Sequence, residues 1–100
     1  ICYANLNVKF GGAYCGMSDA LDGASHHATE DIAFMRALPN MKVIAPADAA
    51  AARWATKYAV ENYGPMYLRF TRDAVPVIYE GRDSPRRLGR HRYRLRHNGA

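Results

Sequence analysis

Residues 41–69, MKVIAPADAAAARWATKYAVENYGPMYLR, decide the fold of this 100-residue protein. The short apolar run at residues 41–45 predicts a strand, because runs of this length bounded by turn residues are typical of buried strands. Asp48 is a suitable N-cap for a helix over residues 49–63, which a Gly-Pro pair ends. Residues 66–71 predict the next strand. A strand, a helix and a strand in this order predict a βαβ unit with parallel strands.

The segments on either side extend this pattern. Residues 8–10 predict a short strand, and residues 28–38 carry apolar side chains at helical spacing. Residues 15–27 between them have little periodicity and predict a long loop, which in a compact domain is usually functional. A possible fourth strand covers residues 75–79. The order of the elements predicts an α/β fold, with the βαβαβ arrangement of a parallel sheet and crossover helices.

The composition indicates one small domain with a separate basic tail. Residues 1–80 carry seven Lys or Arg and eight Asp or Glu, whereas residues 81–100 carry seven Arg and a single acid. The positive net charge of +5 therefore comes from the tail, so it does not indicate that residues 1–80 bind nucleic acid. The alternating pattern of the tail predicts a strand or linker toward a further domain.

Two cysteines, Cys2 and Cys15, are too few for a disulfide framework and suit a reducing cytosol. No apolar run is long enough to cross a membrane, and no signal peptide is visible. Because the sequence has no initiator Met, we expect a cytoplasmic piece of a longer protein.

Asp22, His26 and His27 lie together in the predicted loop, just before a predicted helix. Imidazoles exchange protons near neutral pH, and a helix N-terminus favours anions. Together these groups suit a polyhydroxylated phosphate ester. The alternative is that one histidine caps the helix and the other is solvated. Adjacent histidines rarely bind one ion, and no HExxH or CxxC motif is present, so we expect no metal site.

Arg72 follows the third predicted strand, at the sheet edge where ligands of parallel sheets bind. Arginine binds phosphate through two parallel hydrogen bonds. The alternative for Arg72 is a surface ion pair with Asp73 or Glu80. The sequence thus predicts that two loops, residues 11–27 and 71–73, meet at this edge.

Several of these runs resemble the transketolase family, in particular its pyrimidine-binding domain, which in bacteria is often a separate C-terminal subunit. The resemblance covers residues 3–80 and is carried by these segments: DGASHH at 22–27, EDIA at 30–33, MRALPNM at 35–41, VIAPAD at 43–48, GPMYLR at 64–69, Thr71-Arg72, and VPVI at 75–78. It implies that residues 1–80 are the distal part of such a domain, with residues 81–100 leading to another domain.

The resemblance implies transfer of a two-carbon ketol unit between sugar phosphates. Asp22 would bind a donor-sugar hydroxyl, His26 would act at the reacting carbon as the catalytic residue, and Arg72 would bind the substrate phosphate. Two positions in the substrate site depart from the family, because Tyr14 stands where a histidine is frequent and His27 where glutamine is common.

The resemblance also implies a cofactor, thiamine diphosphate, with Mg2+ or another divalent metal. The family's activating carboxylate and stacking aromatic residues lie upstream of the matched region, so cofactor-binding residues of this chain stay unknown and the isolated chain should be inactive. The implied partners are a diphosphate-binding domain or subunit, in a homodimer or heterotetramer. A 1-deoxy-xylulose-5-phosphate synthase is the second enzyme hypothesis, and a non-catalytic interaction module with a basic tail is the third.

Overall fold

The computed structural model describes residues 1–79, and the predictions for the basic tail lie outside the described residues. Three strands form one sheet: β1 (Lys9–Gly12), β2 (Lys42–Ile44) and β3 (Met66–Arg69). All pairs are parallel and the strand order is β1-β3-β2. Met66 is level with Lys9 on one side and with Lys42 on the other. The predicted parallel sheet is confirmed, with the third strand at its centre.

Helix α1 (Asp31–Ala37) is shorter than the predicted residues 28–38. At its start, the carbonyl of Ala28 accepts a hydrogen bond from the Gly16 amide at 2.9 Å and so belongs to a bridge between loop segments. At its end, Leu38 is extended, as expected of a residue that precedes a proline. Two short 3₁₀ turns, Ala20–Asp22 and Ala24–His26, lie within the predicted loop.

Helix α2 (Ala49–Glu61) begins where the sequence predicts and ends two residues earlier. The Asp48 carboxylate accepts a hydrogen bond from the Ala51 amide at 2.7 Å, which confirms the predicted N-cap. The helix stops because Asn62 is extended and its side chain donates to the Tyr58 carbonyl at 2.8 Å.

The possible fourth strand over residues 75–79 is wrong. None of these residues pairs with a described strand, and the amides of Ile78 and Tyr79 donate instead to Oδ2 of Asp48, at 2.7 and 2.8 Å. Burial alone would raise the pKa of Asp48, but its backbone N–H donors hold that pKa below the usual value. One ionised carboxylate therefore caps α2 and anchors the segment that follows β3.

The core lies between α2 and the central strand. Ala55 and Ala59 are buried against Met66 and Leu68. Because alanine has a small side chain, this face of the helix can pack closely on the central strand. Partly buried apolar residues surround this cluster: Ile44, Trp54, Tyr58 and Phe70. None of the helices within residues 1–79 is long and apolar enough to span a membrane.

Candidate functional site

The loops that follow β1 and β3 are joined at one edge of the sheet. The Phe70 amide donates to the Gly12 carbonyl at 2.7 Å, and the Cys15 amide donates to the Phe70 carbonyl at 3.0 Å. Farther along, the Arg72 amide donates to the Ser18 hydroxyl at 3.0 Å. Because parallel strands end at the same edge, these backbone contacts bring the predicted loops together.

Arg72 is the centre of the candidate site. Its guanidinium forms an ion pair with Asp19 and lies 3.5 Å from Oδ2 of Asp22. Its Cζ atom also lies 5.4 Å from the centre of the Tyr14 ring, a cation–π distance. Three of the predicted site residues (Tyr14, Asp22 and Arg72) therefore meet. The alternative ion pair with Asp73 is not observed in residues 1–79, and Glu80 lies outside the described residues.

The charges around Arg72 are unequal in exposure. The Asp19 side chain is 6% exposed, whereas those of Arg72 and Asp22 are 48% and 49% exposed. Burial would raise the pKa of Asp19, but the hydrogen bond from Arg72 and its positive charge hold that pKa below the usual value. The same contact raises the pKa of Arg72. The pair is thus fully ionised at neutral pH, and half of the Arg72 side chain still faces solvent.

His26 is exposed beside this cluster. Its Nδ1 atom lies 2.9 Å from the Ser25 hydroxyl, which fixes the orientation of the ring. When protonated, His26 adds to the positive charge that holds the pKa of Asp19 below its usual value. The N-cap of α1 is Glu30, without a side-chain capping bond, so neither histidine caps that helix.

His27 points to a different part of the loop. Its Nε2 atom lies 3.2 Å from the backbone carbonyl oxygen of Asp19, which requires this nitrogen to be the donor. The side chain is partly buried, unlike that of His26. The two adjacent histidines therefore have separate partners: the exposed His26 contacts Ser25, and the partly buried His27 contacts the carbonyl of Asp19.

Next to the candidate site lies a buried polar network that was not predicted from the sequence. Oδ2 of Asp31 accepts hydrogen bonds from the Tyr67 hydroxyl at 2.7 Å and from Nε of Arg69 at 2.8 Å. The Tyr67 hydroxyl also lies 3.2 Å from Sγ of Cys15. A signal was present, because Tyr67 and Arg69 are two apart on a strand and so share a face.

The network is ionic. Burial opposes ionisation of Asp31, but the hydrogen bonds from Arg69 and Tyr67 hold its pKa below the usual value. Burial, together with the contacts to Cys15 and Asp31, raises the pKa of Tyr67, which stays protonated. The network joins the start of α1 to the end of β3 and holds in place the edge of the sheet that carries the exposed side chains.

The described residues do not fit the binding of thiamine diphosphate with its metal. Within residues 1–79, no three His, Cys, Asp or Glu side chains are grouped to hold a metal ion. The buried carboxylates are already engaged: Asp19 with Arg72, Asp31 with Arg69, and Asp48 with backbone amides. Oδ1 of Asp31 has no hydrogen-bond partner within residues 1–79, but Arg69 already balances the charge of that carboxylate, and no step through a cofactor follows from these residues.

Comparison with known families agrees with this fold. The profile of the family described as "Transketolase, pyrimidine binding domain" matches residues 2–77. The chain belongs to this family. The family resemblance drawn from the DGASHH loop and the segments after it is thereby confirmed.

Individual relatives lie within the same group of enzymes. The chain is 42% identical over 83 residues to a putative transketolase C-terminal section from Methanocaldococcus jannaschii, covering 83% of this chain and 26% of the relative. It is 41% identical over 81 residues to a 1-deoxy-D-xylulose-5-phosphate synthase from Thermus thermophilus, covering 81% of this chain and 13% of that protein.

A solved structure with the same fold is described as a split gene transketolase, inactive beta4 tetramer. The TM-score is 0.66 at 47% identity, over 78% of this chain and 24% of that chain. The chain therefore spans about a quarter of the length of the transketolase relatives it matches.

Proposed function

We propose that this chain forms the substrate-facing wall of a transketolase, which transfers a two-carbon ketol unit between sugar phosphates. The observation that supports the proposal is the meeting of Tyr14, Asp22 and Arg72 at the carboxyl edge of a parallel sheet, beside His26. This edge is where parallel α/β sheets bind their ligands. The membership of the transketolase pyrimidine-binding family supports this reaction class.

Each group in the wall has a role that its chemistry permits. The exposed half of Arg72 binds the substrate phosphate, since a guanidinium offers paired N–H donors to phosphate oxygens. Asp22 is equally exposed and accepts a hydrogen bond from a sugar hydroxyl once phosphate takes its place on Arg72. His26 is exposed on the same loop as Asp22, and its imidazole can hold or move a proton on the substrate. Tyr14 flanks Arg72, and His27 supports the loop from below.

The proposal assigns the remaining parts of the reaction to other segments or subunits. Thiamine diphosphate, when bound there with Mg2+ or another divalent metal, supplies the carbanion chemistry of ketol transfer. A diphosphate-binding domain or subunit completes the site, in a homodimer or heterotetramer. Residues 1–80 form the distal part of the pyrimidine-binding domain, and residues 81–100 lead toward a further domain. We propose a cytoplasmic location, in keeping with the two free thiols Cys2 and Cys15.

The test is a coupled assay of ketol transfer on the complete enzyme that contains this chain. A ketose phosphate should serve as donor, whereas preference for pyruvate would replace the proposal by the synthase reaction. The 100-residue chain alone should show no turnover. Ketol transfer by that polypeptide by itself would contradict the division of roles.

The role of His26 has its own test in the complete enzyme. His26→Ala should lower kcat by about 100-fold or more, the usual cost of losing a positioned acid–base group. The matched control is Lys57→Ala, because Lys57 is on the exposed face of α2 and its one ion pair within residues 1–79 is a long surface contact with Glu61, at 3.9 Å. Equal kcat values for His26→Ala and the wild type, with unchanged thermal unfolding, would remove His26 from the reaction.

A further inference from the structure

Asp19 lies in the candidate site but is not part of the DGASHH motif at residues 22–27. Its carboxylate is buried and forms an ion pair with the guanidinium of Arg72. Its backbone carbonyl accepts hydrogen bonds from Nε2 of His27 at 3.2 Å and from the Asp22 amide at 3.1 Å. Asp19 is therefore the common partner of three residues that belong to the proposed substrate site.

We infer that Asp19 is the positioning residue of the substrate-phosphate site: it fixes the guanidinium of Arg72, while His27 fixes Asp19 through its carbonyl oxygen. The inference rests on the proposed function, because the proposed target of Arg72 is the phosphate of a sugar. Asp19 itself does not touch the substrate, since its side chain lies beneath Arg72 and is 6% exposed.

The two carboxylates on Arg72 have different tasks. Asp22 is 49% exposed and lies at 3.5 Å, so an incoming phosphate can displace it at little cost in desolvation. Asp19 is shielded from water, so its contact with Arg72 is weakly screened and persists when phosphate binds. Asp22 is thus the exchangeable partner of Arg72, and Asp19 is the permanent one.

Two further contacts restrict Arg72 to one orientation. The hydroxyl of Ser18, next to Asp19 in the chain, accepts a hydrogen bond from the Arg72 amide at 3.0 Å and donates one to the Cys15 carbonyl at 3.0 Å. The Tyr14 ring lies against the guanidinium at 5.4 Å. Backbone, carboxylate and ring together leave one part of the guanidinium open, and the incoming phosphate binds there.

The kinetic test compares Asp19→Ala, Asp19→Asn and Asp73→Ala in the complete enzyme. Asp73 is the matched control, because it is exposed, adjacent to Arg72 in sequence and outside its ion pairs. Asp19→Ala should raise the KM for ribose 5-phosphate by about 10- to 100-fold, the range expected for a misplaced binding group. The KM for unphosphorylated ribose should not change, and Asp19→Asn, which keeps one acceptor oxygen, should lie between wild type and Asp19→Ala. An equal rise for both substrates indicates a merely structural role and overturns the inference.

A second readout does not depend on turnover. Phenylglyoxal labels accessible guanidinium groups, and peptide mapping of the same enzyme gives the labelling rate at Arg72. Asp19→Ala should accelerate labelling and weaken the protection given by inorganic phosphate, whereas Asp73→Ala should leave both unchanged. Labelling at the wild-type rate in Asp19→Ala overturns the inference, even where ketol transfer is intact. If the wild-type enzyme shows no ketol transfer, the proposed function is refuted. The labelling comparison still decides whether Asp19 positions Arg72, because it does not depend on turnover.

Discussion

Replacing Tyr67 by phenylalanine removes one hydroxyl from the network behind the site and leaves the ring in place. Tyr67 is 5% exposed, and its hydroxyl donates to Oδ2 of Asp31 at 2.7 Å while lying 3.2 Å from Sγ of Cys15. The aromatic ring keeps its packing in Tyr67→Phe. The substitution therefore isolates the hydrogen bond to a buried, charged acceptor.

The expected loss is about 2 kcal/mol of unfolding free energy, because hydrogen bonds to charged groups contribute about 1.5–3 kcal/mol. Arg69 still pairs with the same oxygen of Asp31, so the carboxylate keeps one strong partner. Small proteins have urea m-values of about 1–3 kcal/mol per molar, so the urea midpoint should fall by roughly 1 M.

Urea unfolding followed by the fluorescence of Trp54, the single tryptophan of the chain, provides the assay. Trp54 packs against the core cluster and lies 5.1 Å from the Tyr58 ring, so it reports on the α2–sheet interface. Tyr63→Phe is the matched control, because Tyr63 is 66% exposed and its substitution should leave the midpoint unchanged. A Tyr67→Phe midpoint equal to that of the control would refute the contribution assigned to this network.

Two further predictions concern the same buried network. The pKa of Asp31 is lowered from 3.8, so its stabilising contribution is present above about pH 4 and is lost as the pH falls through the folded-state pKa. Urea midpoints measured across this pH range should therefore drop less steeply in Asp31→Asn than in the wild type. Parallel curves for the two proteins would contradict this. A Cβ atom at Gly12 would lie 2.5 Å from the Tyr67 hydroxyl oxygen, so Gly12→Ala should cost about 1–3 kcal/mol in a urea titration. Gly11→Ala is its control, since beyond its chain neighbours no atom of the described part of the chain lies within 4 Å of a Cβ atom at Gly11, and equal midpoints for the two variants would rule out the clash.

The sequence predicted the helices well where the residues that start or end a helix are close to it in the chain. The Asp48 N-cap and the apolar spacing of residues 28–38 act within a turn of the residues they affect, so these signals can be recognised in the sequence. The segment at residues 75–79 shows the limit. Its apolar composition suits a strand, but its amides donate to the distant Asp48 carboxylate and not to a neighbouring strand. Local strand propensity contains no information about this distant acceptor.

The candidate site shows the same division. The DGASHH motif and Arg72 could be chosen from sequence because their chemistry and position after predicted strands are visible along the chain. Asp19 could not be chosen, since nothing in its neighbours distinguishes it from a solvated loop acid. Its burial and its ion pair arise only when the loops after β1 and β3 meet.

The sequence by itself determined the order of strands and helices, the parallel sheet and the family, because periodicity, caps and motifs are encoded in neighbouring residues. Only the tertiary structure decided that β3 is central, that Arg72 pairs with Asp19 and Asp22, and that Tyr67 and Arg69 hold Asp31. The four side-chain contacts join residues 36 to 53 positions apart. Their energies depend on burial and on which charged groups meet, and the packing of the folded chain sets both.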